Sequence, residues 1–501
     1  MAPSADALRR VGRFDEAIAL YRHGVRLAPR DLAAWSGLAE CLFTARRPDE
    51  AIEAWNQALR VAPDAPAMLC GKARVLQSLS RVGEAEGLFR QALKADGGFL
   101  QAQLGLAMLA LEAGRLDEAD TLARRLLAQA PDRPDVLWLA ARIALGRGEL
   151  AAARARLERL LTDPRLDESQ QAETLLALSD VFDRLDRMSD AFTAAMQGKA
   201  ILRRLYAERA AVREGEIAKL GRLAAWFGAA TPADWAPAPR GAARIENEAD
   251  THVFLLGFPR SGTTLLEQVL AGHPDVCALE EAPTLAEPYA EFLASADGCD
   301  RLARLTEPEA DIWRARYWAE VRTHGIDARG RLFLDKAPAG TLYLPLIAKL
   351  FPGAKVLFAV RDPRDVALSC LRHAFQMNAM TYAFTTLEET AACYGACMAM
   401  AQIYRAVLPL DLIEVRHEAL VEDFDAELAR ITGFLGVEPH PAMKDIAATA
   451  ARRSVRTPSA SQVRAGLNRR GLARWRAYAE ALAPVMATLA PWVERFGYPA
   501  R

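Results

Sequence analysis

Residues 252–270 read HVFLLGFPRSGTTLLEQVL, a short apolar run that meets Gly257 and then Arg260, Ser261, Gly262, Thr263 and Thr264 before apolar residues resume at helical spacing. Strand, loop and helix in that order aim backbone N–H groups and the positive end of a helix at one point. Such a point suits a phosphate or a sulfate. Gly257 and Gly262 keep the spacing of a nucleotide phosphate loop, but Thr263 stands where such a loop carries its lysine. Cleavage of the terminal bond of ATP needs that lysine beside magnesium, so a nucleotide hydrolase is disfavoured. The cation here is Arg260, within the loop. A second apolar run, residues 354–360, meets Arg361, and Ser369 follows eight positions later on a helical pattern. An arginine at a strand's carboxyl end and a hydroxyl two turns into the next helix converge on an anion at the same sheet edge. Two anion sites on one edge call for a doubly phosphorylated ligand.

These residues need a framework, and the chain is long enough for more than one domain: 501 residues, 51% hydrophobic and 25% charged. Sixty-three Lys and Arg against 64 Asp and Glu leave a net charge of −1, so no global basic field exists to hold nucleic acid or an anionic membrane. The N-terminal residues lack a signal-like apolar core and nowhere do 18 apolar residues run together, which makes the cytoplasm the expected compartment. Seven scattered cysteines without a CxxC pair argue for reduced thiols, and no HxxxH or HExxH supports a metal.

The first two hundred residues repeat with a period of 34: Ala17, Ala51, Ala85, Ala119 and Ala153 in one column, Ala5, Ala39, Ala73, Ala107 and Ala141 in another, and Pro29, Pro63 and Pro131 in a third. Small residues where two antiparallel helices cross, large ones beside them and a proline at the end explain the columns. Gly97 replaces the proline in the third unit, Ala123 stands where a large residue is usual, and the first unit lacks its opening residues. After an insertion, Ala191 resumes the pattern 38 positions beyond Ala153, and residues 171–222 read as the cap of the solenoid. A proline- and alanine-rich segment follows. The expected layout is a helical-repeat domain at 1–225, a linker at 226–250 and an α/β domain with a central parallel sheet at 251–501.

The repeat resembles the tetratricopeptide repeat, which implies an α-solenoid holding a peptide or partner protein on its concave face; a structural or dimerising arm, and hence a homodimer, is the alternative. FPRSGTT with a strand–Arg–x7–Ser helix behind it is similar to the sulfotransferases that use 3′-phosphoadenosine-5′-phosphosulfate, a P-loop-like α/β fold. The blocks HPDVCALEEAP (273–283), LDKAP (334–338), FPGAKV (351–356), VRHEALVEDFDAEL (415–428) and RTPSASQVR (456–464) narrow the resemblance to the branch of protein-tyrosine sulfotransferases.

That resemblance implies that Arg260, Ser261, Gly262, Thr263 and Thr264 cradle the 5′-phosphosulfate, that Arg361 and Ser369 hold the 3′-phosphate, and that Arg474, before Trp475, reaches the nucleotide phosphates. Glu281 takes the place of the general base, with Glu280 its fallback and His273 the rival from other branches. Arg260, Lys336 and Ser459 take the places that stabilise charge on the sulfuryl group and bridging oxygen. Arg464, Arg469 and Arg470 are plausible helpers. Ala339 and Gly340 replace an asparagine of the family block, and His417 replaces a tyrosine. The implied reaction needs no metal: sulfuryl transfer to an acceptor hydroxyl, leaving 3′,5′-adenosine diphosphate, with the arm recruiting the acceptor. The resemblance implies a polypeptide acceptor, at a tyrosine hydroxyl, with a glycan or small metabolite as the alternative. Two other classes compete: an inactive interaction scaffold, and an ATP-using kinase of adenylylsulfate, which the missing lysine disfavours.

Overall fold

The computed structural model describes residues 4–79, 81–212, 214–235, 245–453, 466, 467, 469 and 471–500. The chain divides into two compact units, Met1–Arg165 and Leu166–Arg501.

The first unit is an α-solenoid of helix pairs: Leu32–Thr44 with Pro48–Val61, Pro66–Ser78 with Val82–Ala95, Leu100–Glu112 with Leu116–Gln129, and Pro134–Arg147 with Leu150–Leu161. A short helix, Ala5–Arg10, opens it ahead of Phe14–Leu27. The first alanine column is completely buried at Ala17, Ala51, Ala85, Ala119 and Ala153. A second device repeats with it. A Cβ on Gly37 would lie 2.5 Å from the Tyr21 ring, one on Gly71 2.4 Å from Trp55, and one on Gly105 2.4 Å from Phe89. Each ring therefore fills a socket that only glycine leaves open in the next unit. One period further on both partners change: Ala123 replaces the aromatic residue, Leu139 replaces the glycine, and the two are buried in one cluster. Exchange of large and small across the contact keeps the joint filled.

The second unit begins with three helices, α1 (Glu168–Arg184), α2 (Met188–Ala211) and α3 (Glu216–Gly228). A capping box at Asp167 and Gln170 starts α1. The segment read as a cap thus packs with the α/β fold. A fourth helix comes before the sheet's far strands, α4 (Thr263–Leu270), and two more flank them, α5 (Pro363–Arg372) and α6 (Leu387–Val407). Arg203 of α2 reaches Glu389 of α6 with both terminal nitrogens, at 2.6 and 2.9 Å, and Phe227 of α3 meets Tyr404 of α6 edge to face at 4.8 Å. Trp235, in the expected linker, is buried in a 3-10 turn, while residues 236–244 lie outside the described set.

Five parallel strands form the sheet, β1 (Thr251–Gly257), β2 (Val276–Glu280), β3 (Leu332–Lys336), β4 (Lys355–Val360) and β5 (Asp411–Arg416), in the order β2-β3-β1-β4-β5. Val253, Leu255, Leu334 and Leu357 are fully buried, as near-continuous apolar strands covered on both faces must be. The chain leaves central β1 toward one edge and later crosses to the other. This reversal opens a crevice at the strands' carboxyl ends, where such sheets bind ligands.

Candidate active site

Gly257 ends β1 where a Cβ would lie 2.7 Å from both the Ala359 carbonyl oxygen and Ser261 Oγ, so the loop lies flat against β4. Arg260 then takes φ 72°, a left-handed conformation unusual for a side-chain-bearing residue, and Gly262 takes φ 99° as the N-cap of α4. A Cβ on Gly262 would sit 2.5 Å from His417 Nδ1. A tight loop that opens into a helix N-terminus, its backbone N–H groups turned to one point, is the geometry of an anion cradle. Ser261, Thr263 and Thr264 line it from buried positions, and Ser261 Oγ has no hydrogen-bond partner among the described residues.

The two sequence-derived anion sets meet through side chains. Arg260 Nε donates to Ser369 Oγ at 2.9 Å, and Arg361 Nη1 donates to the Arg260 carbonyl at 3.2 Å while its Nη2 donates to that of Gly471 at 2.5 Å. Burial and the neighbouring Arg361 push the Arg260 guanidinium down to about 10. The spacing of motifs did not reveal His373, which completes this cluster from the end of α5. Its Nδ1 lies 2.8 Å from the Ser369 carbonyl and its Nε2 lies 3.3 Å from Arg260 Nη2. Burial, and then Arg260, hold His373 far below the usual imidazole range and therefore neutral. A neutral ring satisfies both contacts in one tautomer, with Nδ1–H donating to the carbonyl and Nε2 accepting from the guanidinium. Ser369 and His373 stand one helical turn apart, a signal that the sequence did carry.

Lys336 closes β3 beside this loop: Leu255 of β1 pairs with it in register, and the next residue, Ala337, donates to the Leu255 carbonyl. Its Nζ is buried within 2.9 Å of Glu280, 3.0 Å of Glu281 and 3.1 Å of Glu267. Burial works against the ammonium charge, but the three carboxylates outweigh it and raise the lysine above its usual range. Glu267, on α4, is itself fully buried and also faces Arg453 at 3.1 Å; burial pushes it up against the pull of Lys336. A lone charge in the otherwise uncharged stretch TTLLEQVL was its sequence signal. Glu281, in contrast, is half-exposed and held at φ 50°, with its N–H donating to the Lys336 carbonyl at 2.9 Å. A strained carboxylate at a strand end beside an ammonium is the kind of outlier that marks a working site.

Other expected residues are placed elsewhere. His273 Nδ1 accepts the Asp275 N–H at 3.1 Å and its ring packs edge-on against His440, which gives it a turn-forming role. Arg474 is seated on α1, with Nε 3.1 Å from Asp183 and Nη2 3.2 Å from Asp186. Arg469 is exposed, and Ser459, Arg464 and Arg470 lie outside the described residues. The seven cysteines are all buried free thiols.

Residues 252–441 match the model of the sulfotransferase family, and residues 4–67 and 78–136 match models of the tetratricopeptide repeat. A protein of Aquifex aeolicus described as uncharacterized is 27% identical over 47% of this chain and 32% of its own length. A putative protein-tyrosine sulfotransferase of Caenorhabditis briggsae is 27% identical over 49% of this chain and 88% of its own. Protein-tyrosine sulfotransferase A of Caenorhabditis elegans is 27% identical over 50% of this chain and 68% of its own. The chain therefore joins tetratricopeptide repeats to a domain of the sulfotransferase family.

Proposed function

We propose that this domain moves a sulfuryl group from 3′-phosphoadenosine-5′-phosphosulfate to an acceptor hydroxyl. The observation that supports this best is the 2.9 Å contact between Arg260 and Ser369, which joins the loop cradle to the second anion set. A ligand bearing two phosphate-type groups on one nucleotide fits both. The buried, partnerless Ser261 Oγ and the glycine cradle suit its phosphosulfate end, and Arg361 with Ser369 suits its 3′-phosphate. The donor supplies an activated sulfuryl group with a good leaving oxygen. Arg260 and Lys336, with Ser459, stabilise the charge that develops there, and Glu281 takes the acceptor proton from its half-exposed position. Glu280, nearer the buried ammonium, serves to hold Lys336. Arg474 reaches the phosphates only by giving up Asp183 and Asp186.

The acceptor we infer is a polypeptide, as the names of the Caenorhabditis relatives suggest, with the repeat arm presenting it. The buried thiols suit a reducing compartment, and we place the protein in the cytoplasm; no helix among the described residues is long and apolar enough to cross a membrane. Calorimetry tests the donor assignment: 3′,5′-adenosine diphosphate should bind, Arg361→Ala should weaken it by about a hundredfold, the loss of charge-assisted bonds to one phosphate, and equal affinity for ATP would overturn it. Radiolabelled donor with a cell lysate shows whether label enters protein, glycan or metabolite.

A further inference from the structure

Lys199 lies in the middle of α2 among Ala191, Ala194, Ala195, Gly198 and Leu202, and it is completely buried. Its Nζ donates to the Cys370 carbonyl at 3.2 Å and to the His373 carbonyl at 2.8 Å, with the Phe375 ring 5.5 Å away. Among the described residues no carboxylate is within ion-pair distance of it. A buried ammonium without a counter-carboxylate is costly, and what offsets the cost here is the negative end of α5, whose last carbonyls have no partner within the helix. Burial alone pushes Lys199 down to about 8, so it still carries its proton near neutrality.

The position cannot drift. A Cβ on neighbouring Gly198 would meet the Ala172 carbonyl at 2.9 Å, so α2 is pressed against α1 without slack. Asp183 at the end of α1 adds a second fastening, 2.9 Å from Arg372 of α5 and 2.6 Å from Tyr478 Oη. From Lys199 the contacts run without a gap into the anion site: Lys199 Nζ to the His373 carbonyl, His373 Nε2 to Arg260, and Arg260 to Ser369.

We propose that Lys199 is a positioning residue for the donor site, fixing the end of α5 so that Ser369, braced by His373 and Arg260, stays where the second phosphate is read. The last helical hairpin before the sheet is then a working part of nucleotide recognition. The role rests on the donor reading above, and it predicts selectivity in addition to stability, because what Lys199 orders is the 3′-phosphate side of the site.

The test is calorimetry on the full chain with 3′,5′-adenosine diphosphate and adenosine 5′-monophosphate, beside thermal unfolding. Lys199→Met should weaken the diphosphate by about tenfold or more, as lost bonds to charged groups do, and weaken the monophosphate far less. Lys199→Gln, which keeps an amide donor, should recover part of the discrimination, and it carries the comparison should the methionine variant fail to fold. Equal losses for both nucleotides, or a lowered Tm with discrimination intact, would overturn the positioning role and leave the donor reading standing. A wild-type chain with no preference for the diphosphate would remove the donor reading and this role together.

Discussion

At the scale of single residues, the groups with the clearest chemical assignments are those that local spacing already exposed. Arg260, Ser261, Gly262, Arg361 and Ser369 each follow a strand by a fixed number of positions, and the sheet delivers them to one edge. Lys199 leaves no local pattern because its partners lie far along the chain. Glu267 and His373 carry faint local signals, a lone charge in an apolar helix and a one-turn spacing from Ser369, whose meaning depends on the distant partners Lys336 and Arg260. Glu281→Gln keeps the size of the side chain but cannot accept a proton. Turnover should fall by about 10²-fold or more while the donor Kd stays within threefold or so, and unchanged turnover would reassign the base. His417 offers a pH test. Burial, then Arg361 and Arg260, push its imidazole down to about 3 from 6.5. Between those values the unfolded chain binds a proton that the fold refuses, so stability is lost as pH falls through that window. His417→Phe removes this contribution, and the drop in urea midpoint between pH 7.5 and 4.5 should be smaller than in wild type.

At the scale of elements, the 34-residue period gave the helix pairs directly, because alanine columns record backbone crossings that tolerate nothing larger. The ring-and-glycine sockets are a second record of the same crossings. Ala123 looked from the sequence like a weak point; Leu139 one unit on supplies the missing volume. Leu139→Gly should therefore cost about 3–5 kcal/mol, and Ala123→Phe alone should overpack the joint. Together they recreate the pattern of the other three joints, and the double variant should be clearly more stable in urea unfolding than the sum of the two single losses. The helical rhythm of 171–222 was equally visible, but whether α1 and α2 finish the solenoid or serve the sheet depends on Lys199, Asp183 and Arg203, whose partners are all beyond residue 365.

At the scale of the molecule, the division falls after Arg165, so the two possible truncations should behave differently. Removing residues 1–165 leaves α1 to α3 with the sheet and should preserve binding of 3′,5′-adenosine diphosphate while reducing transfer to the native acceptor. Removing residues 1–225 strips Lys199 and Asp183 from α5 and should abolish nucleotide binding in the same assay. The net charge of −1 also takes on a local meaning: the cations that would serve the donor are concentrated around Arg260 and Arg361, and carboxylates elsewhere balance the total.

The sockets of the solenoid also govern how its length can change. Tyr21, Trp55 and Phe89 use interchangeable joints, so excising residues 56–89 would bring Trp55 to face Gly105 and shorten the arm by one whole step. At Ala123 and Leu139 the joint is keyed the other way round. Units gained or lost by duplication can be shuffled freely before that point, but none can cross it without changing both partners at once. The last repeat of the solenoid is thereby protected from the slippage that the earlier ones permit.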